Sequence, residues 1–243
     1  FTRGGADLAS TAVFVGGSDV VRAEAVAERV RNTFFGPVRL GVLVDPSGAN
    51  TTAAAAVVAA GRHVDLAGGR CSAVVLGGTG PVGQRVSRLL AGKGVRVAVA
   101  SRSRERAEQA VRRIEQAVPA GRLTAVESPT AVRPGTALAT VIAEADVIVA
   151  AGAAGVTLLD EAGRGLASAA TVLIDLNAVP PAGISGLVAN DKARQQGTAF
   201  LYGALGIGGT KMKIHRAAIA RIFESNTAFL DAEDLLAIGE SLR

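Results

Sequence analysis

Three glycines spaced as Gly78-Thr79-Gly80-Pro81-Val82-Gly83 stand directly behind the apolar run AVVL at residues 73–76. A strand, a G-x-G-x-x-G turn and a helix in that order can hold a diphosphate. Gly78 would make the tight turn, Gly80 would let an anion approach the backbone, and Gly83 would let the helix pack on the strand. Thr79 and Val82 fill the turn between them. Pro81 costs nothing there, because the amide it removes from a first helical turn has no intrahelical partner. Amides at the helix start, aided by the positive end of the helix dipole, then attract a dinucleotide.

The next strand, VRVAVA at residues 95–100, ends in Ser101-Arg102-Ser103-Arg104. NAD-binding folds usually place a carboxylate there for the adenosine ribose hydroxyls, and none is present. A guanidinium at Arg102 can stack on the adenine and pair with a 2′-phosphate to which the Ser101 hydroxyl donates, so the expected cofactor is NADP. Farther on, Ala151 and Gly152 follow the strand DVIVA and should lie at the carboxyl edge of the sheet, where small residues leave room for the ribose and nicotinamide. Asn177, after the strand TVLID, could frame the same edge, although a structural turn would explain it too.

Two other segments offer chemistry. DPSGANTT leaves a strand through Asp45 and enters a helix through Asn50 and Thr51, giving polar groups to a substrate, with a helix cap by Asn50 as the plainer reading. GALGIGGTKMK sets glycines just ahead of Lys211, which is expected at a helix start near residue 209. An ammonium near the positive end of a helix is unfavourable unless an anion or polar ligand compensates it, which singles Lys211 out as a functional rather than merely structural residue. Metal catalysis is not expected, since His63 and His215 lie at no metal-ligand spacing from each other or from Cys71. No G-x-S-x-G elbow starts a hydrolytic triad. Hydride transfer suits so spare an inventory, because the nicotinamide carries the electrons and the protein supplies orientation.

The elements that must position these groups alternate along the chain. Apolar, β-branched runs at residues 12–16, 38–45, 73–77, 95–100, 146–152 and 171–177 are separated by helical patterns. That alternation implies βαβ units and a mostly parallel sheet, an α/β fold. Helices are expected at about 19–33, 50–61, 81–92, 103–117, 136–144 and 159–168, with two more at about 209–224 and 231–242. The glycine-rich stretch GRHVDLAGG suggests two lobes: residues 1–62 plus 209–243 as a smaller α/β substrate and oligomerisation lobe with returning C-terminal helices, and 63–208 as a Rossmann-type NADP domain.

Composition narrows the partners. Lys and Arg number 26 against 21 Asp and Glu, and aromatic residues make up only 3%, so the stacking platforms of nucleic-acid modules are missing. No run free of charge or glycine reaches the roughly 20 residues needed to cross a bilayer. A single cysteine excludes an internal disulfide, and no basic start with an apolar middle opens the chain, so a cytoplasmic location is expected and export is not.

Taken together, TRGG at residues 2–5, FVGG at 14–17, RNTFFGPVR, SGANTTAAA, GGTGPVGQR and above all YGALGIGGTKMKIHRAAIARIFES resemble the methylene-tetrahydromethanopterin dehydrogenases of one-carbon metabolism. The resemblance implies NADP-dependent oxidation of a methylene-tetrahydropterin, either tetrahydromethanopterin or tetrahydrofolate, to its methenyl form. It also implies a cytoplasmic homo-oligomer, with a trimer as the form to test. Lys211 falls on the family's active-site lysine, and Asp45, Asn50 and Thr51 become candidate substrate contacts. The resemblance puts the pyrophosphate at Gly78–Gly83 and the 2′-phosphate near Ser101 and Arg102. Two other classes remain as alternatives: a shikimate-dehydrogenase-like NADP oxidoreductase, and an NADP(H)-binding module without turnover.

Overall fold

The computed structural model describes residues 4–129 and 132–242. Thr2 and Arg3 of the TRGG stretch lie outside the described residues. The chain divides into two compact units, Phe1–Ala55 with Thr210–Arg243, and Ala56–Gly209. The division falls inside two helices, α2 (Ala49–Ala60) and α7 (Ala204–Glu224).

The first unit holds a parallel sheet of β1 (Ala12–Val15), β2 (Gly41–Val44) and β10 (Phe229–Leu230), with β2 in the middle. As the central strand, β2 is buried along its whole length and reads as a continuous apolar run. Helix α1 (Val20–Thr33) lays Ala23 and Ala27 against Val15, Val42 and Val44 to make the core. Its first turn is closed by Asp19, whose carboxylate accepts the Arg22 amide at 3.0 Å. Helix α8 (Ala232–Ser241) begins in a reciprocal capping box between Asp231 and Asp234.

The second unit is built on seven strands: β3 (Ser72–Leu76), β4 (Arg96–Ser101), β5 (Arg122–Glu127), β6 (Val147–Ala150), β7 (Val172–Asp175), β8 (Lys192–Gln196) and β9 (Ala199–Tyr202). They lie in the order β5-β4-β3-β6-β7-β9-β8, with only β8 antiparallel to its neighbour. Around β3 this is the doubly wound arrangement of dinucleotide-binding sheets, and the crevice of such a sheet opens where the strand order reverses, here between β3 and β6. Helices α3 (Pro81–Gly92), α4 (Arg104–Ala117), α5 (Ala137–Glu144) and α6 (Glu161–Leu166) connect the strands. Strands β6 and β7 are buried at every position, as expected for strands covered on both faces.

The parallel α/β plan read from the alternation is the one the chain adopts, and two features differ from the sequence reading. Strands β5, β8, β9 and β10 were not expected. Two of them, β5 and β8, are the sheet edges, where one side meets solvent, and the exposed positions of RLTAVE and KARQQ blur the apolar signal. The last long helix also begins at Ala204 and not near residue 209. Its opening amides are satisfied without a side-chain cap, since Leu205 donates to the Ala189 carbonyl at 2.8 Å and Gly206 donates to it at 3.2 Å. A side chain at Gly206 would collide with the Asp191 carbonyl, so that glycine serves close packing and does not break the helix.

Candidate functional site

The glycine turn in the second unit is built as the spacing requires, with one reassignment. The backbone reverses at Gly77, at φ +70°, and not at Gly78. A Cβ on Gly77 would lie 2.6 Å from the Gly152 Cα, so the turn after β3 and the loop after β6 touch at the reversal point of the sheet. Gly78 instead continues the strand, donating to the Ala100 carbonyl at 2.9 Å, and a Cβ there would meet Val99 at 2.7 Å. Gly83 has the packing role expected of it, since a Cβ would stand 2.6 Å from the Gly77 carbonyl. Helix α3 opens with Gly80 as N-cap and Pro81 in its first turn. The Gln84 side chain donates to the Thr79 carbonyl at 2.7 Å and fixes the loop.

A cleft of about 610 Å³ opens on this turn. Gly77, Thr79, Gly80 and Pro81 form one side, and Ala151 and Gly152 form another. Its far end is Ser101, Arg102, Ser103 and Arg106, closed by Ser128. The Ser101 hydroxyl lies 3.4 Å from that of Thr79, and the Ser128 amide donates to the Ser101 carbonyl at 2.7 Å. Among the described residues no carboxylate lines the cleft. These features fit a dinucleotide: a small-residue floor for close backbone approach, orphan helix amides for a diphosphate, and guanidinium and hydroxyl groups for a ribose phosphate. Gly78, Val82 and Gly83 shape the turn behind the cleft without lining it. Asn177 does not join it either. Its side chain is spent on its own loop, donating to the Pro181 carbonyl at 3.0 Å and accepting the Val179 amide at 2.9 Å.

The first unit gathers the remaining candidates around Asp45, which is only 4% exposed. One carboxylate oxygen accepts the amides of Asn50 and Thr51 at 3.0 and 3.1 Å, and the other accepts the Thr51 hydroxyl at 2.7 Å. Asp45 is therefore the group that caps α2, in place of Asn50. Asn50 is fully buried, and its amide nitrogen donates to the Val44 carbonyl at 2.7 Å and to Asp231 at 3.0 Å. Thr51 is also fully buried. The three residues form a frame that holds the turn at residues 46–48, where Ser47 and Gly48 both adopt positive φ, 53° and 62°.

Lys211 belongs to this frame. It is the eighth residue of α7, well past the first turn, so the helix-dipole reason for singling it out does not hold. Its amine lies instead over the strained turn, 2.6 Å from where a Gly48 Cβ would stand. One helical turn later His215 shares that face. Its Nδ1 is 3.8 Å from the Asp45 carboxylate, and its ring meets Phe14 edge-on at 6.0 Å. From the sequence His215 is weighed only as a metal ligand and is not placed at this site. The signal for it was the i, i+4 spacing from Lys211, which becomes visible once the helix is known to run through both.

The family model for the N-terminal part of methylene-tetrahydromethanopterin dehydrogenase matches residues 1–47. The chain is 40% identical over 245 residues to the bifunctional protein MdtA of Methylorubrum extorquens, a match spanning 100% of this chain and 82% of that protein. It is 30% identical over 233 residues to the NAD(P)-dependent methylenetetrahydromethanopterin dehydrogenase of the same organism, spanning 93% of this chain and 76% of that one. Among solved structures, a transhydrogenase from Sinorhizobium meliloti superposes with a TM-score of 0.53 at 16% identity, covering 99% of this chain and 72% of that one, a likeness of fold. With that degree of identity to two relatives, sustained over nearly its whole length, this chain belongs to the methylene-tetrahydromethanopterin dehydrogenase family.

Proposed function

We propose that the protein oxidises methylene-tetrahydromethanopterin, or methylene-tetrahydrofolate, to the methenyl form by direct hydride transfer to NADP⁺ in one-carbon metabolism. The carboxylate-free cleft on the glycine turn, with Arg102 at its far end, carries this reading in a chain of this family. NADP supplies the hydride acceptor when bound. The cleft residues would hold its diphosphate at the opening turn of α3, beside Thr79, Gly80 and Pro81, and its 2′-phosphate at Ser101 and Arg102, while Ala151 and Gly152 leave space for the nicotinamide ribose.

In the first unit, Lys211 orients the pterin and shapes the field at the reacting carbon. The methylene carbon gives up a hydride, and a resonance-stabilised cation remains. No proton donor or nucleophile is needed at that step, which agrees with a site whose polar side chains are fixed by one another. A positive product beside an ammonium needs compensation, and the buried carboxylate of Asp45 under the same turn supplies it. Asp45, Asn50 and Thr51 then act by holding the turn in place.

No helix among the described residues is long and apolar enough to cross a membrane. The reading extends to a cytoplasmic homo-oligomer, and exposed Phe35 at 84% and Val21 at 77% offer apolar surface for association. Light scattering that finds three subunits supports the trimer, and a monodisperse monomer refutes it. The enzymatic reading is tested with both pterins against both nicotinamides. Wild-type protein should reduce NADP⁺ with at least one pterin, and Lys211→Ala should lower turnover by about 100-fold while nucleotide affinity stays the same. Silence with both pterins, or unchanged kinetics in the variant, would overturn the corresponding part.

A further inference from the structure

The segment Ser101-Arg102-Ser103-Arg104-Glu105-Arg106 brings three guanidiniums to one strand end, and the fold uses them differently. Arg104 turns away from the cleft, pairs with Glu108 at 3.0 Å across one helical turn, and is 64% exposed. Arg102 and Arg106 both line the cleft, and among the described residues the guanidinium of neither has a hydrogen bond, ion pair or ring contact. They come from different elements, Arg102 from the loop after β4 and Arg106 from the first turn of α4. Ser103 fixes the second position by accepting the Arg106 amide at 3.3 Å. Behind them lie two nearly buried serines, Ser101 at 7% and Ser128 at 6% exposure.

Two unpaired cations facing one carboxylate-free space repel each other unless an anion sits between them. The anion such a space suits is a phosphate monoester, whose oxygens can accept from two guanidiniums and from serine hydroxyls together. We propose that Arg106 is a second specificity-determining residue of the nucleotide cleft, gripping the ribose 2′-phosphate jointly with Arg102. This assignment rests on the NADP reading above. It implies that preference for the phosphorylated dinucleotide is divided between two elements, so that replacing Arg102 alone leaves part of it intact.

The test measures dissociation constants of NADPH, NADH, adenosine 2′-monophosphate and adenosine 5′-monophosphate for the full chain and its variants. Arg106→Ala should weaken NADPH and adenosine 2′-monophosphate by about 10-fold or more, the weight of a charge-assisted hydrogen bond to phosphate, and leave NADH and adenosine 5′-monophosphate within about twofold. Arg104→Ala should change none of the four, and the double variant lacking Arg102 and Arg106 should bind NADPH no better than NADH. Arg106→Lys, which keeps the charge without the planar fork, should fall between wild type and alanine and decides the matter if the alanine variant does not fold. Equal losses for NADPH and NADH, or no loss for either, would overturn the assignment while leaving the dehydrogenase reading intact. Selective loss in a protein that oxidises neither pterin would uphold the assignment and remove that reading. A wild-type protein that binds neither dinucleotide overturns both.

Discussion

At the scale of single residues, one constraint joins Gly48 to Lys211. A methyl group on Gly48 would stand 2.6 Å from the lysine amine, on a backbone at φ +62° that other residues resist. Gly48→Ala should therefore push the amine out of place and lower turnover by about 10-fold, since small misplacements near the chemistry are costly. NADPH affinity should not change, because the cleft residues lie in the other unit. A variant that melts like wild type and turns over at the wild-type rate would remove Gly48 as a positioning residue. The legibility of the site follows from where each signal lives. The glycine spacing and the absent carboxylate after β4 are local, so they could be read from the sequence. Ser128 depends on a neighbouring strand and nothing adjacent to it in the sequence points to the site, whereas His215 and Arg106 each stand four residues from a candidate, Lys211 and Arg102, and become readable only once the helix phase is known.

At the scale of elements, the turn between β3 and α3 depends on Gly77 more than on the first glycine of the motif. Gly77→Ala would force a side chain to positive φ and drive it against the Gly152 backbone, 2.6 Å from Cα and 2.7 Å from the amide nitrogen. Overpacking together with the turn strain should cost about 2–4 kcal/mol. A urea midpoint that falls with an unchanged slope, together with lost NADPH binding, is the expected result. A wild-type midpoint would mean that the loop yields without cost. Inner strands such as β3, β6 and β7 announced themselves by unbroken apolar runs, because both of their faces are covered. The start of α7 did not, because GALGIGG reads locally as a loop, while its helical form is imposed by the carbonyls of Ala189 and Asp191 against which it packs.

At the scale of the molecule, His63 ties pH to the stability of the second unit. His63 stacks on Phe200 at 3.8 Å, shares a hydrogen bond of 2.8 Å with the Tyr202 hydroxyl, and has its pKa lowered by burial and then by the neighbouring Arg62. A lowered histidine pKa means that the unfolded chain takes up the proton first. The contribution is complete above the ordinary value of 6.5 and is lost as pH falls toward the folded value. The melting temperature should decline over that interval, and His63→Gln should flatten the decline relative to wild type. Parallel profiles for the two proteins would exclude His63 as the cause. The net charge of +5 adds a general preference for anionic ligands. The central claim is that the methylene carbon passes its hydride directly to the nicotinamide, and isotopic labelling tests it most directly. With dideuteromethylene-tetrahydropterin in ordinary water, one deuteron should appear on C4 of the NADPH formed. Unlabelled NADPH, with deuterium released to solvent, would contradict the account.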